Sequence, residues 1–210
     1  MSAAAPDAGA AREPTVFVVD DDGSTRELLS WLMKHNDLAV EVFADARAFL
    51  ETYRAEYPGC LVLDLNMPGM SGLDLQLYLK EHGVVLPVIF LSGRADIPKA
   101  VQAVREGALD FLEKPFDYRR VVELVRECLE RDRLARGARD RKRVVCERLQ
   151  QLTQREREVL DLVVAGKLNR EVAEALDISI KTVEAHRAKF MEKLEVSTVA
   201  ELVQSVVAAG

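Results

Sequence analysis

Six side chains between residues 20 and 114 have the types and spacing to do chemistry together. An apolar run ends in Asp20, Asp21 and Asp22; a second ends in Asp64, followed by Asn66-Met67-Pro68-Gly69; a third ends in Ser92; and Lys114 follows a short fourth run, just before Pro115. Carboxylates gathered in one crevice repel each other unless a cation sits among them. An oxygen-only set with open positions suits Mg²⁺, which keeps waters and binds phosphate oxygens. A carboxylate placed beside such a cation and a lysine can attack phosphorus in line, the positive charges stabilising the equatorial oxygens. Asp22 and Asp45 read instead as helix caps, because each immediately precedes a helical pattern.

The crevice requires the strand ends to meet, and the pattern between residues 16 and 116 provides for that. Short β-branched runs at residues 16–20, 39–43, 60–65, 88–92 and 110–112 alternate with amphipathic stretches. Strict alternation with mostly apolar strands predicts a parallel sheet covered on both faces. Five such units fit a doubly wound α/β fold, whose ligand site lies beyond the carboxyl ends of the strands. Ser24 with Glu27, and Ser71 with Asp74, are spaced as capping boxes, and Asp96 with Pro98 fits the start of a further helix. Beyond Asp117, Val121, Leu124, Val125, Cys128 and Leu129 form a stripe able to pack back on the sheet.

Charge is partitioned along the chain. Formal net charge is −6, but residues 15–117 carry 9 bases against 17 acids, residues 118–146 carry 10 against 5, and residues 147–210 carry 9 against 11. The overall sign excludes a nonspecific nucleic-acid coat and sends the search to local faces. Residues 1–14 lack the apolar core of a secretory signal and read as a disordered tail. No apolar run is long enough to span a membrane. Cys60, Cys128 and Cys146 are scattered and odd in number, which favours reduced thiols and a cytoplasmic location. Cys60 and Cys128 read as packing residues. The expected divisions are a doubly wound domain over 15–130, a charged, partly helical linker over 131–146 with Gly137 as its weak point, and an all-helical domain over 147–210.

In that last segment Thr153 and Glu156 form a capping box, Asn169 is placed to cap a short helix, and Asp177-Ile178 leads to Ser179, which caps a longer one. Two helices joined by such a turn have helix-turn-helix spacing, and the second would enter a DNA major groove. Its expected apolar side is Ile180, Val183, Phe190, Met191 and Leu194; between them lie Lys181, Thr182, Glu184, Ala185, Arg187, Ala188 and Lys189. Lys181 and Thr182 suit phosphates, Arg187 and Lys189 phosphates or base edges, and Glu184 a cytosine amino group; Ala185 and Ala188 permit close approach. With Lys193, the helix carries four bases against two acids. His186 reads as packing.

The segments VFVVDDD, CLVLDLNMPGMSG, IFLSGRADI and DFLEKPF, in this order and spacing, resemble the receiver domain of two-component response regulators, a flavodoxin-like five-stranded fold, over about residues 15–130. LTQREREVLDLVVAGKLNREVAEALDISIKTVEAHRAKFMEKL is similar to the LuxR-type effector domain. Together they resemble the FixJ/NarL class, closest to its FixJ-like branch. The resemblance implies Asp64 as phospho-acceptor and Mg²⁺ held by Asp21 and Asp64 directly, by Asp20 through water and by the Asn66 carbonyl. It implies Ser92 and Lys114 at the phosphoryl group and Phe111 at the aromatic switch position, where Phe lacks a tyrosine's hydroxyl. It further implies a sensor histidine kinase, promoter DNA and RNA polymerase as partners, a homodimer when phosphorylated, and no catalysis beyond self-phosphorylation and self-dephosphorylation. Asn66 and Arg94 flank the site and could tune its lifetime. Glu184 stands where related helices often carry a base, so target preferences do not transfer. Two other readings compete. Asp20-Asp21-Asp22-Gly23-Ser24 looks like the start of a haloacid-dehalogenase-type phosphatase with Asp20 as nucleophile, but no strand after Lys114 leads into the further acidic pair needed. A regulator whose first domain only dimerises or binds a small ligand would not need the acidic site.

Overall fold

The computed structural model describes residues 12–93, 105 and 107–209. The chain forms two compact units, one ending at Ala135 and the other beginning at Arg136.

The first unit is built on five strands: β1 (Thr15–Val19), β2 (Ala39–Phe43), β3 (Gly59–Asp64), β4 (Val88–Ser92) and β5 (Asp110–Glu113). All pair in parallel, in the order β2-β1-β3-β4-β5. β1, β3 and β4 are buried along their whole length, as expected of strands covered on both faces. One face carries Phe17, Val19, Leu61, Leu63 and Phe90 against α2 (Ala46–Thr52) and α3 (Gly72–Glu81). The other carries Val16, Val18, Val62, Ile89 and Leu91 against α1 (Gly23–His35) and the apolar stripe of a long helix, α4 (Tyr118–Gln150). That stripe is the expected one: Val121, Leu124, Val125 and Cys128 are buried and Leu129 packs beside them. The order reverses between β1 and β3, so a crevice opens at their carboxyl ends.

The caps at Ser71 and Asp74 form as expected. Ser24 does not cap α1. The Asp22 carboxylate does, accepting from the Ser24 amide at 3.0 Å and the Thr25 hydroxyl at 2.8 Å; a charged acceptor one position nearer the turn outcompetes a hydroxyl. Asp45 caps α2. The expected helix beginning at Asp96 and Pro98 lies outside the described residues, as does Arg94. Helix α4 runs unbroken through Gly137 where a partly helical linker is expected; pairs such as Arg133–Glu130 and Arg143–Glu147 line its exposed sides. Arg12, in the expected tail, ion-pairs with Glu41 and lies over the Tyr57 ring.

The second unit is wholly helical among its described residues: the end of α4, then α5 (Gln154–Val164), α6 (Asn169–Leu176), α7 (Ile180–Leu194) and α8 (Val199–Ala209). Val159, Leu160, Val163, Val172, Val183, Phe190 and Leu202 close its core, and Leu149 of α4 joins them. The Thr153–Glu156 capping box and the Ser179 cap form as expected. Asn169 is the first residue of α6 rather than its cap; Glu171 accepts from the Leu168 amide instead, and the Asn169 oxygen accepts from Arg187. No helix among the described residues is long and apolar enough to cross a membrane.

Candidate functional site

The acidic crevice is assembled from three strand ends. Asp20 follows β1, Asp64 ends β3 and Lys114 follows β5, 94 positions after Asp20 and 50 after Asp64. Lys114 Nζ donates to Asp20 Oδ2 at 2.7 Å and to Asp64 Oδ1 at 2.6 Å. The remaining carboxylate oxygens accept from backbone amides, Asp20 Oδ1 from Asp22 at 2.9 Å and Asp64 Oδ2 from Asn66 at 2.8 Å. Asp20 is fully buried and Asp64 is 7% exposed, whereas Asp21 faces solvent.

Burial raises the Asp20 carboxyl above the ordinary aspartate value, against the lowering effect of its bonds to Lys114 and the Asp22 amide. Burial alone would pull the Lys114 ammonium down, but its bonds to Asp20 and Asp64 outweigh that and hold it above the usual lysine range. The lysine is thus a fixed cation just past the end of β5, where its own amide donates to the Ser92 carbonyl at 2.8 Å. Ser92 is buried at the end of β4, in register with Glu113. Phe111, on β5, is 39% exposed.

Two positioning features are missing from the sequence reading. Arg26 Nη1 donates to the Asp20 carbonyl at 2.6 Å, pinning the turn that carries the aspartates; a base one turn into the helix after the acidic run is its only sequence signal. Gly72 lies so close to the Asp64 strand end that a Cβ there would stand 2.2 Å from the Asp64 carbonyl oxygen. The glycine lets α3 start directly against Asp64, and its place in MSG is the signal.

Among the described residues no three carboxylate, histidine or cysteine side chains close into a metal cage. The donors present are oxygen-only, open to solvent at Asp21 and already partnered by a lysine. That chemistry fits Mg²⁺, which binds through one or two carboxylates and shares its remaining positions with water and phosphate. The phosphatase reading, with Asp20 as nucleophile, fits poorly: it needs a further acidic pair at a later strand end, and no described strand follows Lys114.

On α7 the exposed face holds Lys181, Glu184, Ala185, Ala188, Lys189 and Glu192. Thr182 is half-buried, its amide on the Ser179 hydroxyl and its own hydroxyl 2.8 Å away. Ile180, expected in the core, is 45% exposed; three residues before Val183 it is turned about 60° from that side chain. Two of the four bases are engaged elsewhere. Arg187 Nη1 donates to Asn169 at 2.7 Å, and Lys193 Nζ donates to buried Glu156 at 2.6 Å. The exposed face therefore carries two bases and two acids. His186 is half-buried, consistent with packing.

Comparison with known proteins places both units. Residues 16–126 match the response regulator receiver domain and residues 150–206 match the LuxR family of bacterial regulatory proteins. The chain is 41% identical over 193 residues to the response regulator protein TodT of Pseudomonas putida, covering 92% of this chain and 85% of TodT. It is 41% identical over 195 residues to the transcriptional regulatory protein FixJ of Azorhizobium caulinodans, covering 93% and 92%. The solved structure of the response regulator StyR superposes with a TM-score of 0.85 at 41% identity, covering 92% of this chain and 98% of that one.

Proposed function

The chain belongs to the response regulators that join a receiver domain to a LuxR-family DNA-binding domain, and from that premise we propose that Asp64 accepts a phosphoryl group and that α7 reads promoter DNA. Phosphorylation-dependent control of transcription is the function of this family, which implies a sensor kinase and a promoter as partners. The observation that carries the assignment of Asp64 is its lysine: Lys114 holds Asp64 and Asp20 together at 2.6 and 2.7 Å.

In this reading Asp64 Oδ1 or Oδ2 attacks the phosphorus of a phosphohistidine, and the bond to the histidine nitrogen breaks in line. Asp20, Asp21, Asp64 and the Asn66 carbonyl would hold Mg²⁺, which when bound supplies charge neutralisation at the phosphoryl oxygens. Lys114 gives up part of its contact with the carboxylates to meet the new oxygens. The phosphoryl group adds roughly −1.5 to −2 charges. Ser92 is drawn toward it, and Phe111 turns inward into the space released. Going from about 1% to about 99% active takes roughly 5.5 kcal/mol of difference between the two states. We propose a homodimer as the phosphorylated form, reading half-sites about one helical turn apart, with activation through RNA polymerase as the output. The only reactions assigned to the chain are its own phosphorylation and the later hydrolysis of that acyl phosphate. On the DNA side, Lys181, Thr182 and Lys189 meet phosphates, Glu184 reads a cytosine amino group, and Ala185 and Ala188 allow close approach; Arg187, engaged with Asn169, braces the two helices.

Intact mass after incubation with acetyl phosphate and Mg²⁺ tests the first half. The wild-type chain should gain a labile mass of about 80 Da, one phosphoryl group, and Asp64→Ala should gain none. A gain of equal size in Asp64→Ala would place the acceptor elsewhere.

A further inference from the structure

The last turns of α4 and the carboxyl end of α7 hold each other. Arg148 Nη1 donates to the Leu194 carbonyl at 3.1 Å and its other nitrogen ion-pairs with Glu195. In return Lys193 Nζ donates to the Gln151 carbonyl at 3.3 Å, just past the end of α4, and to Glu156 at 2.6 Å. Each helix ends in carbonyls with no intrahelical donor and in the negative pole of its dipole. Each of those ends is met by a cation from the other helix.

Two further observations agree. Glu195 closes α7 in the left-handed region, at φ 52°, where glycine or asparagine is the usual occupant. A glutamate there supplies a carboxylate for Arg148 that glycine cannot. Leu149, next to Arg148, is buried in the core of the second unit, and Val145, one turn earlier, packs against that core. The match to the LuxR family begins only at residue 150, just after Arg148 and Leu149.

We propose that Arg148 is a positioning residue for DNA recognition, fixing the carboxyl end of α7 so that its exposed face meets the groove at a set angle. The proposal rests on α7 being the helix that reads DNA. Arg148 itself touches no phosphate in this scheme, which separates positioning from contact. Neutralising a phosphate contact lowers the salt dependence of binding by about one ion, whereas disturbing the angle of a helix does not remove a counterion-releasing charge.

The test uses the full chain, phosphorylated with acetyl phosphate, and a duplex enriched from a random-sequence pool by the wild-type chain. Binding is followed by fluorescence anisotropy across a salt series, with helical content and Tm recorded alongside. Arg148→Met, which keeps the apolar stem, should weaken binding about tenfold or more, the loss expected for charge-assisted hydrogen bonds. Its salt slope should match the wild type and its helical content should be unchanged. Arg148→Lys can satisfy only one of the two acceptors and should fall between. Wild-type affinity in Arg148→Met overturns the proposal, and so does a loss accompanied by a slope shallower by about one. Should Arg148→Met not fold, Arg148→Lys decides: reduced affinity at the wild-type slope supports positioning, and full affinity overturns it. If the wild-type chain enriches no duplex at all, the assignment of α7 to DNA fails, and the role of Arg148 fails with it for that separate reason.

Discussion

The acidic crevice and the exposed face of α7 are built by opposite means. In the crevice, residues far apart in sequence converge, and the described charges satisfy one another: one lysine serves two carboxylates, and each carboxylate takes a backbone amide on its other oxygen. On α7 the residues are adjacent in sequence, and no hydrogen bond or ion pair among the described residues engages the side chains of Lys181, Glu184, Lys189 or Glu192. The bases that have partners, Arg187 and Lys193, use them to hold the fold. A site that does chemistry needs its charges fixed before the substrate arrives. A surface that reads a polyanion needs charges free to be neutralised by it. Replacing one charge should therefore be severe in the first region and mild in the second.

The largest effect should come from Lys114→Met. The variant leaves Asp20 and Asp64 facing each other without their common cation and, in the proposed mechanism, removes a donor from the phosphoryl oxygens. The rate of acetyl-phosphate-dependent mass gain should fall about a hundredfold, the usual cost of losing one preorganised charge stabiliser. A rate within about twofold of wild type would mean that the paired geometry is packing rather than chemistry.

What the sequence makes legible follows the same division. Strand ends are readable because apolar runs stop where polar groups begin, and the five runs predicted end within about one residue of the strands observed. The caps at Ser71, Thr153 and Ser179 are readable because a cap needs only a local pattern. Partner choice between distant side chains is not. Helical spacing puts Lys193 on a helix of four bases, but nothing in that spacing tells of Glu156, 37 positions earlier, or of Asn169 for Arg187. The excess of positive charge expected on α7 therefore becomes a balanced exposed face. Asn169 and Ser24 fail as caps for a related reason: a stronger charged partner was within reach of each amide or oxygen.

The Lys193–Glu156 pair is the intermediate case, a charge on α7 used as the crevice uses its own. Bonds from Lys193 and the Thr153 amide hold the buried Glu156 carboxyl at about 2, below its ordinary 4.5. A depressed carboxylate adds stability that is fully present above its unfolded value and is lost as pH falls through the folded one. Glu156→Gln should cost the second unit roughly 2 kcal/mol at neutral pH, allowing for the partial exposure of Lys193. In thermal melts the gap between wild type and variant should be constant above about pH 5 and shrink toward pH 2. A gap that stays open at the acid end would show that the lost packing, not the charge, is responsible.

The smallest effect should come from Lys181→Met, and its form matters more than its size. Lys181 is exposed at the start of α7. If it meets one phosphate, affinity should fall only a few-fold at moderate salt, to a similar extent on every duplex, and the salt slope should become shallower by about one. Arg148→Met is expected to do the reverse, with a larger loss and an unchanged slope. The pair of slopes, measured on the same duplex, separates a base that the fold has used from one it has left for DNA. An unchanged slope in Lys181→Met would move the phosphate contacts along the helix to Lys189, and would mean that a free charge on this face is not by itself a sign of contact.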